Sequence, residues 1–291
     1  MSCPRTAISR CGGAALLLVL WIIVLLTGLI AVFALTARTE GVQGRYLGRS
    51  VIARGAAEAG VDVAAMHLQG LDPAQRWIPD GRANQFDFEG HRVQVRVVDE
   101  GGKIDLNFAT PELLVGLLTA VGVEQGRARS LSGAIQDWRD EDELVNLEGG
   151  AEDPQYGAAK LPYGAKDRPF EALSELRLVL GMDAALYQKL QPYVTLFSGQ
   201  ARPDPAYAAA PVLQALGMTP EQVTQAMDQR QANTQPGTPL AAPGSGTYSI
   251  SSRAARPDGT RVQVQAAIRM GGGGGFGQLY LPLSWRVGES D

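Results

Sequence analysis

AALLLVLWIIVLLTGLIAVFALTA, residues Ala14 to Ala37, is a run of 24 residues without a charge. As a helix rising about 1.5 Å per residue it measures about 36 Å, enough to cross a hydrocarbon core of about 30 Å. Arg5 and Arg10 precede it with no acid, and Cys11, Gly12 and Gly13 follow them directly; the next charge is Arg38. Residues 14–37 therefore read as a membrane span, and the remaining chain as the material that this span carries.

A cleaved secretory signal places its small residues and cut site after a shorter apolar core. Here the small pair comes first. Basic residues, glycine and then an unbroken apolar helix is the order of a type IV prepilin leader, cut on the cytoplasmic side so that the apolar helix stays on the mature protein. An ordinary single-span signal anchor satisfies the same hydropathy. Cys11 stands before the apolar run, the wrong side for a lipoprotein leader.

Composition narrows the function classes. A net charge of -4 and a pI near 5.4 do not suggest a nucleic-acid binder. Cys3 and Cys11 are the only cysteines, so a chain cut after Gly13 has no disulfide and no thiol for catalysis or metal binding. With His67 and His91 as the only histidines, a His-rich zinc site or a Ser-His hydrolase is disfavoured, whereas carboxylate chemistry stays open.

Helical spacing persists past the membrane through Val51, Ile52, Ala56, Ala59, Val63 and Met66, which predicts one long helix over 14–68. Gly41, Gly44, Gly48, Gly55 and Gly60 weaken it by up to about 1 kcal/mol each. A Pro- and Gly-bearing loop follows, and then FDFEGHRVQVRVVDEGGKIDLN alternates with the period of a half-buried antiparallel strand, with a turn at Glu100-Gly101-Gly102 and a short strand over Lys103 to Leu106. A small meander laid on the long helix, residues 69–109, is the simplest arrangement.

From Thr110 to Ala232 the pattern turns helical, opening on Thr110-Pro111-Glu112 as N-cap, N1 and first turn. LLTAVGVEQGRARSLSGAIQDW, LRLVLGMDAALYQKLQPYV and VLQALGMTPEQVTQAMDQR share an apolar helix end, a glycine (Gly122, Gly181, Gly217) and a second amphipathic helix. This is the shape of a helix-hairpin-helix or SAM-like unit. Such hairpins often hold DNA phosphates, which makes a membrane-anchored DNA-binding or uptake protein the alternative function. Glu124, Asp183 and Glu221 beside the glycines offer an anion little, and packing is the plainer role.

Residues 233–246 are rich in Pro, Gly, Ser and Thr and read as a linker. Strands return over 247–291, interrupted by the Gly271–Gly277 loop tip, which lacks the Lys-Ser/Thr of a phosphate cradle. The fold class is α+β: a helix packed on a small antiparallel sheet, with a large all-α insertion between strands.

The densest chemical signal is IQDWRDEDELVNLEGGAEDPQYG. Asp137, Asp140 and Asp142 stand where a helix ends, and Glu152 and Asp153 follow Gly149-Gly150. Hard oxygen ligands on a glycine-folded loop suit Ca²⁺, which takes six to eight oxygens at about 2.4 Å. The spacing is not that of an EF-hand, and a solvated acidic loop is the commoner explanation of such composition. Carboxylates at this density repel one another unless a cation or Arg139 sits among them. A glycosidase pair would need an aromatic-rich cleft that the sequence does not display.

Together these pieces resemble the K-type minor pseudopilins of the bacterial type II secretion system (general secretion pathway protein K). The resemblance is carried by GGAALLLVLWIIVLLT, VVDEGGKIDLNFAT, AIQDWRDED, GAEDPQYG and LPYGAKDRPFEALSELRLVLG. It implies a pilin-like fold, cleavage by prepilin peptidase between Gly13 and Ala14, N-methylation of Ala14, and an inner-membrane anchor with the C-terminal domain in the periplasm. Ala14 stands where Phe, Val or Leu is more usual. Leu18 occupies the position where most pilins carry a Glu, an absence shared by K-type subunits. The resemblance further implies partnership with I- and J-type minor pseudopilins, a non-enzymatic role at the pseudopilus tip, and calcium held by the insertion, with Asp137, Asp140, Asp142, Glu152 and Asp153 as its ligands.

Overall fold

The computed structural model describes residues 12–70, 75–232, 244–271 and 279–288, with the side chains of 12–14, 39 and 41–47 left aside. Most of the leader (1–11), most of the linker (233–243) and the loop tip at 272–277 lie outside the described residues. The chain divides into two compact units, Met1–Ile52 and Ala53–Asp291.

The first helix, α1, runs Gly12–Gln69. Within the first unit, Ala15–Arg38 is the one segment of the described residues long and apolar enough to cross a membrane, with a mean hydropathy of 3.1. Its large apolar side chains are exposed all round, Leu18 among them. The hydroxyls of Thr27 and Thr36 donate back to Ile23 O and Val32 O at 2.6 and 3.0 Å. Both hydroxyls are thereby paired within the helix itself.

In the second unit the chemistry of α1 changes. Ala53, Ala56, Ala57, Gly60, Val61, Ala64 and Ala65 recur at three- and four-residue spacing and are buried against a sheet. Gly60 shows why small residues are needed: a Cβ there would come within 2.1 Å of Ser252 Oγ and 3.0 Å of Val93 Cγ1. The sheet comprises β1 (Asp80–Phe88), β2 (His91–Asp99), β5 (Thr247–Ala255), β6 (Arg261–Met270) and β7 (Tyr280–Gly288), in that spatial order and antiparallel throughout. Val93, Val95, Val97, Ile250, Val262, Val264 and Ile268 form its α1-facing core. Glu89 and Gly90 turn β1 into β2 with φ of 49° and 74°, the left-handed pair that matches strand twist.

β2 and β5 are neighbours, paired from Arg92↔Ala255 to Asp99↔Tyr248, yet Glu100 to Gly246 intervene between them in sequence. The intervening block holds α2 (Pro111–Ala120), α3 (Gln125–Arg139), α4 (Asp153–Ala158), α5 (Ala184–Leu190), α6 (Ala210–Ala215) and α7 (Pro220–Ala232) around a separate apolar core. Leu114, Leu117, Leu118, Leu131, Ile135, Trp138, Tyr156, Leu176 and Leu213 are its fully or nearly fully buried members. The protein is thus α+β, an apolar N-terminal helix and an antiparallel sheet interrupted by a helical block.

Two details differ from the sequence reading. The strand expected over Lys103–Leu106 as part of the meander leaves the sheet: Ile104–Asp105 (β3) pairs in parallel with Val194–Thr195 (β4) inside the helical block. Glu100 drives this departure, because its buried carboxylate accepts from Lys103 Nζ at 2.5 Å and from the hydroxyls of Thr195 and Ser249, tying β4 and β5 to one side chain. The second of the three hairpins opens on a 3-10 turn, Leu173–Arg177, rather than an α-helix.

Candidate metal centre

Asp137 lies in the last turn of α3, and Asp140 is that helix's C-cap. Carboxylates sit badly there, at the negative end of the helix dipole, where a cation is favoured. Glu152 precedes α4 and is fixed by its backbone N–H, which donates to Gln155 Oε1 at 3.0 Å. The fold brings Asp137, Asp140 and Glu152 together with one carboxylate oxygen from each within 4.8 Å of the others. Asp137 and Glu152 are almost fully buried.

Glycines make the convergence possible. A Cβ on Gly150 would lie 1.9 Å from Asp137 Oδ2, and one on Gly133 would lie 2.8 Å from the backbone N of Gly150. Gly149, with φ of 110°, turns the loop back over α3. Asp137 accepts from the backbone N–H groups of Asn146, at 3.1 Å, and Ala151.

The electrostatics mark the cluster off from other buried acids. Asp99 accepts from the amides of Gly101 and Ser245, and Asp105 from Asn107 N, Ser198 Oγ and Gly199 N, so both are satisfied internally. In the cluster, Asp140 Oδ1 and Glu152 Oε1 are buried with no hydrogen-bond partner. Burial, and then the negative neighbours Asp137, Asp167, Asp140 and Asp142, push the Glu152 carboxyl up to about 7. Asp137 and Asp140 are raised for the same reasons, burial first. Such groups are stabilised by a divalent cation, and an all-oxygen set of hard carboxylates fits Ca²⁺ or Mg²⁺ rather than a soft metal.

Arg139 favours the ionised form of Asp140 from a distance, but its hydrogen bonds go elsewhere. Its guanidinium donates to the carbonyls of Leu106 and, at 2.7 Å, Ala109, binding α3 to the start of α2, and among the described residues it makes no ion pair. Asp142 and Asp153 also fall outside the three-residue cluster. Asp142 is exposed and accepts from Leu144 N at 2.8 Å. Asp153 is exposed at the start of α4, its carboxylate against Gly164. Asp167, not singled out from the sequence, adds to the charge. It sits at φ of 53° with Oδ1 buried and unpartnered, and it raises both Glu152 and Asp140. A lone acid 14 residues beyond Asp153 carried no spacing signal. Gly13 and Ala14 lie at the start of α1, and Leu18 one turn on.

In the first two hairpin loops, carboxylates of the protein itself stand where an anion would. Gly122, Gly181 and Gly217 have φ of 94°, 84° and 91°, as helix ends of this kind require. Glu124 accepts from Gly126 N and Arg127 N, and Asp183 from Leu186 N.

Residues 101–199, which include every member of the acidic cluster, match the family model described as type II secretion system (T2SS), protein K. About a third of the chain is therefore similar to protein K. Curated proteins called type II secretion system protein K resemble the chain over the same kind of span: 37% identity over 134 residues in Klebsiella pneumoniae, covering 42% of this chain and 40% of that protein, and 32% over 137 residues in Pseudomonas aeruginosa, covering 44% and 41%. The chain thus aligns with about two fifths of the length of these relatives. The wider fold has a solved counterpart. A chain in the crystal structure of the GspK-GspI-GspJ complex from the enterotoxigenic Escherichia coli type 2 secretion system superposes with a TM-score of 0.58 at 21% identity, covering 85% of this chain and 99% of that one. The matched stretch is the first part of the block inserted between β2 and β5, and the acidic cluster at the α3–α4 junction lies within it.

Proposed function

We propose that this protein is a minor pseudopilin of a type II secretion system, anchored in the bacterial inner membrane by residues 14–37 with its C-terminal part in the periplasm. The observation that carries the reading is a stretch similar to protein K, residues 101–199, inserted into a sheet that packs on the helix bearing the membrane-length apolar segment. Prepilin peptidase cuts between Gly13 and Ala14, and the new N-terminus is methylated. The apolar helix then leaves the bilayer to bundle with I- and J-type partners, and the bulk of the inserted domain stops a further subunit from stacking above. Leu18 fits that place: a subunit with nothing ahead of it has no N-terminal amine for a Glu to pair with, and an unpaired carboxylate there is expensive. The role is assembly, without catalysis.

The same reading places Ca²⁺ on Asp137, Asp140 and Glu152, with Asp167 and Asp142 adding charge. Their unpartnered oxygens and raised carboxyl groups support it. The ion serves structure, holding the α3–α4 loop against α3.

Co-expression with I- and J-type subunits tests the assembly role. A stable complex that assembles with the whole chain, and is lost when the inserted domain is replaced by a short turn, is the expected result; no association refutes it. Mass spectrometry of the protein from cells with active peptidase should find an N-terminus at Ala14, and an intact Met1 refutes the processing step.

A further inference from the structure

The sheet face turned away from α1 is strongly basic in an acidic protein. Arg92 and Arg96 on β2, Arg253 on β5, Arg261 and Arg269 on β6 and Arg286 on β7 share it, as the alternation with the α1-facing valines requires. Against them stand Asp87, which reaches only Arg92 at 3.8 Å with both side chains largely exposed, and Glu100, whose carboxylate is consumed by Lys103, Thr195 and Ser249. Arg286 makes no ion pair among the described residues, and Arg96 donates only to the carbonyl of Gly81, at 3.0 Å.

Strand register orders these charges. Arg96 pairs with Ser251, Ser251 with Gln265, and Gln265 with Arg286, so the four stand in one row across β2, β5, β6 and β7. The row is a polar track with a guanidinium at each end, spanning three strand spacings, about 14 Å. It forms the floor of a cleft of about 440 Å³, walled by Leu173 and Phe197 of the helical block.

We infer that this cleft binds an extended, acidic polypeptide segment of a partner protein, with carboxylates four residues apart, lying across the strands so that one meets Arg96 and the other Arg286. The dimensions select this ligand. An extended chain advances about 3.4 Å per residue and returns to the same face every second residue, so positions i and i+4 present carboxylates on one side about 14 Å apart. In a helix the same positions are only about 5–6 Å apart. A cleft of this volume admits a few residues of single chain; a bilayer surface or a nucleic-acid duplex cannot enter it. Serine and glutamine between the arginines suit the backbone amides and carbonyls of such a segment, and guanidinium is the cation best matched to a carboxylate.

The test is isothermal titration calorimetry on the full chain in a neutral detergent at low salt, with acetylated and amidated Glu-Thr-Val-Thr-Glu against its isomer Glu-Glu-Thr-Val-Thr. The spaced peptide should bind at least about fivefold tighter, and Arg96→Ala and Arg286→Ala should each weaken it about fivefold, the scale of an ion pair worth about 1 kcal/mol. Arg261→Ala, a variant of the same basic face outside the cleft, should bind within about twofold of the unaltered chain. Because Arg96 also holds Gly81, Arg286→Ala provides the variant free of a folding effect. Equal binding of the two peptides, an equal loss in Arg261→Ala, or displacement of the peptide by inorganic phosphate or by phosphatidylglycerol vesicles overturns the inference.

Discussion

Replacing Glu152 with glutamine should stabilise the ion-free protein at alkaline pH while abolishing its response to calcium. The folded-state carboxyl is raised from 4.5 to about 7, so between those values the fold holds a proton that the unfolded chain has released. Stability of the ion-free fold therefore falls as pH rises through that window and stays low above it. At about 1.4 kcal/mol per pH unit the loss approaches 3 kcal/mol by pH 8, carried by a side chain only 3% exposed. Glutamine keeps the shape, drops the charge, and can donate to Asp137 or Asp140. For a protein of this size 1 kcal/mol moves the melting temperature by about 2–4 °C, so the variant should melt up to roughly 6–12 °C above the parent at pH 8 and within a degree or two of it below about pH 5. Scanning calorimetry of detergent-solubilised, chelator-stripped protein measures this. Added Ca²⁺ should reverse the order once it is well in excess, because an ion at 1,000 times its dissociation constant stabilises the parent by about 4.1 kcal/mol and the variant has lost a ligand. A variant less stable than the parent at pH 8 without ions, or a difference independent of pH, would refute the electrostatic account.

Three further substitutions probe the supports of the site and fold. Gly150→Ala places a Cβ 1.9 Å from Asp137 Oδ2 and 2.7 Å from Asn146 N, so it should cost about 2 kcal/mol in thermal melts and blunt the calcium response. Gly102→Ala meets the backbone carbonyl of Tyr207 at 2.5 Å, which cannot rotate away, and should lower the melting temperature more than an alanine at Gly157, where nothing lies within 4 Å. Arg139→Lys keeps the charge but loses the fork that spans the carbonyls of Leu106 and Ala109; a destabilisation of about 1–2 kcal/mol by denaturant titration is expected, with calcium affinity nearly unchanged.

The fold class was legible because its strongest signals are local. A chargeless run of membrane length, valines alternating in β2, and glycines closing three helical hairpins each state their structure within a few residues. The pairing of β3 with β4 was not legible, since it joins residues about 90 positions apart and rests on Glu100, an acid that reads as a turn residue until Thr195 and Ser249 close around it. The acidic stretch announced itself by density, but density does not say which carboxylates converge. Asp137, Asp140 and Glu152 meet because Gly150 lets the loop lie against α3, whereas Asp142 and Asp153 point elsewhere. Asp167 arrives from a distant loop. The basic row from Arg96 to Arg286 is likewise invisible in one dimension, for it runs perpendicular to the chain.

The paired exit and entry of the inserted helical block, Asp99 beside Tyr248, has a mechanical corollary. A tug on the helical block reaches the sheet at one end of two adjacent strands, the geometry that peels rungs apart one after another instead of shearing them all at once. Glu100 sits at that fork and laces Lys103, Thr195 and Ser249 together, a rivet at the point where tearing would begin.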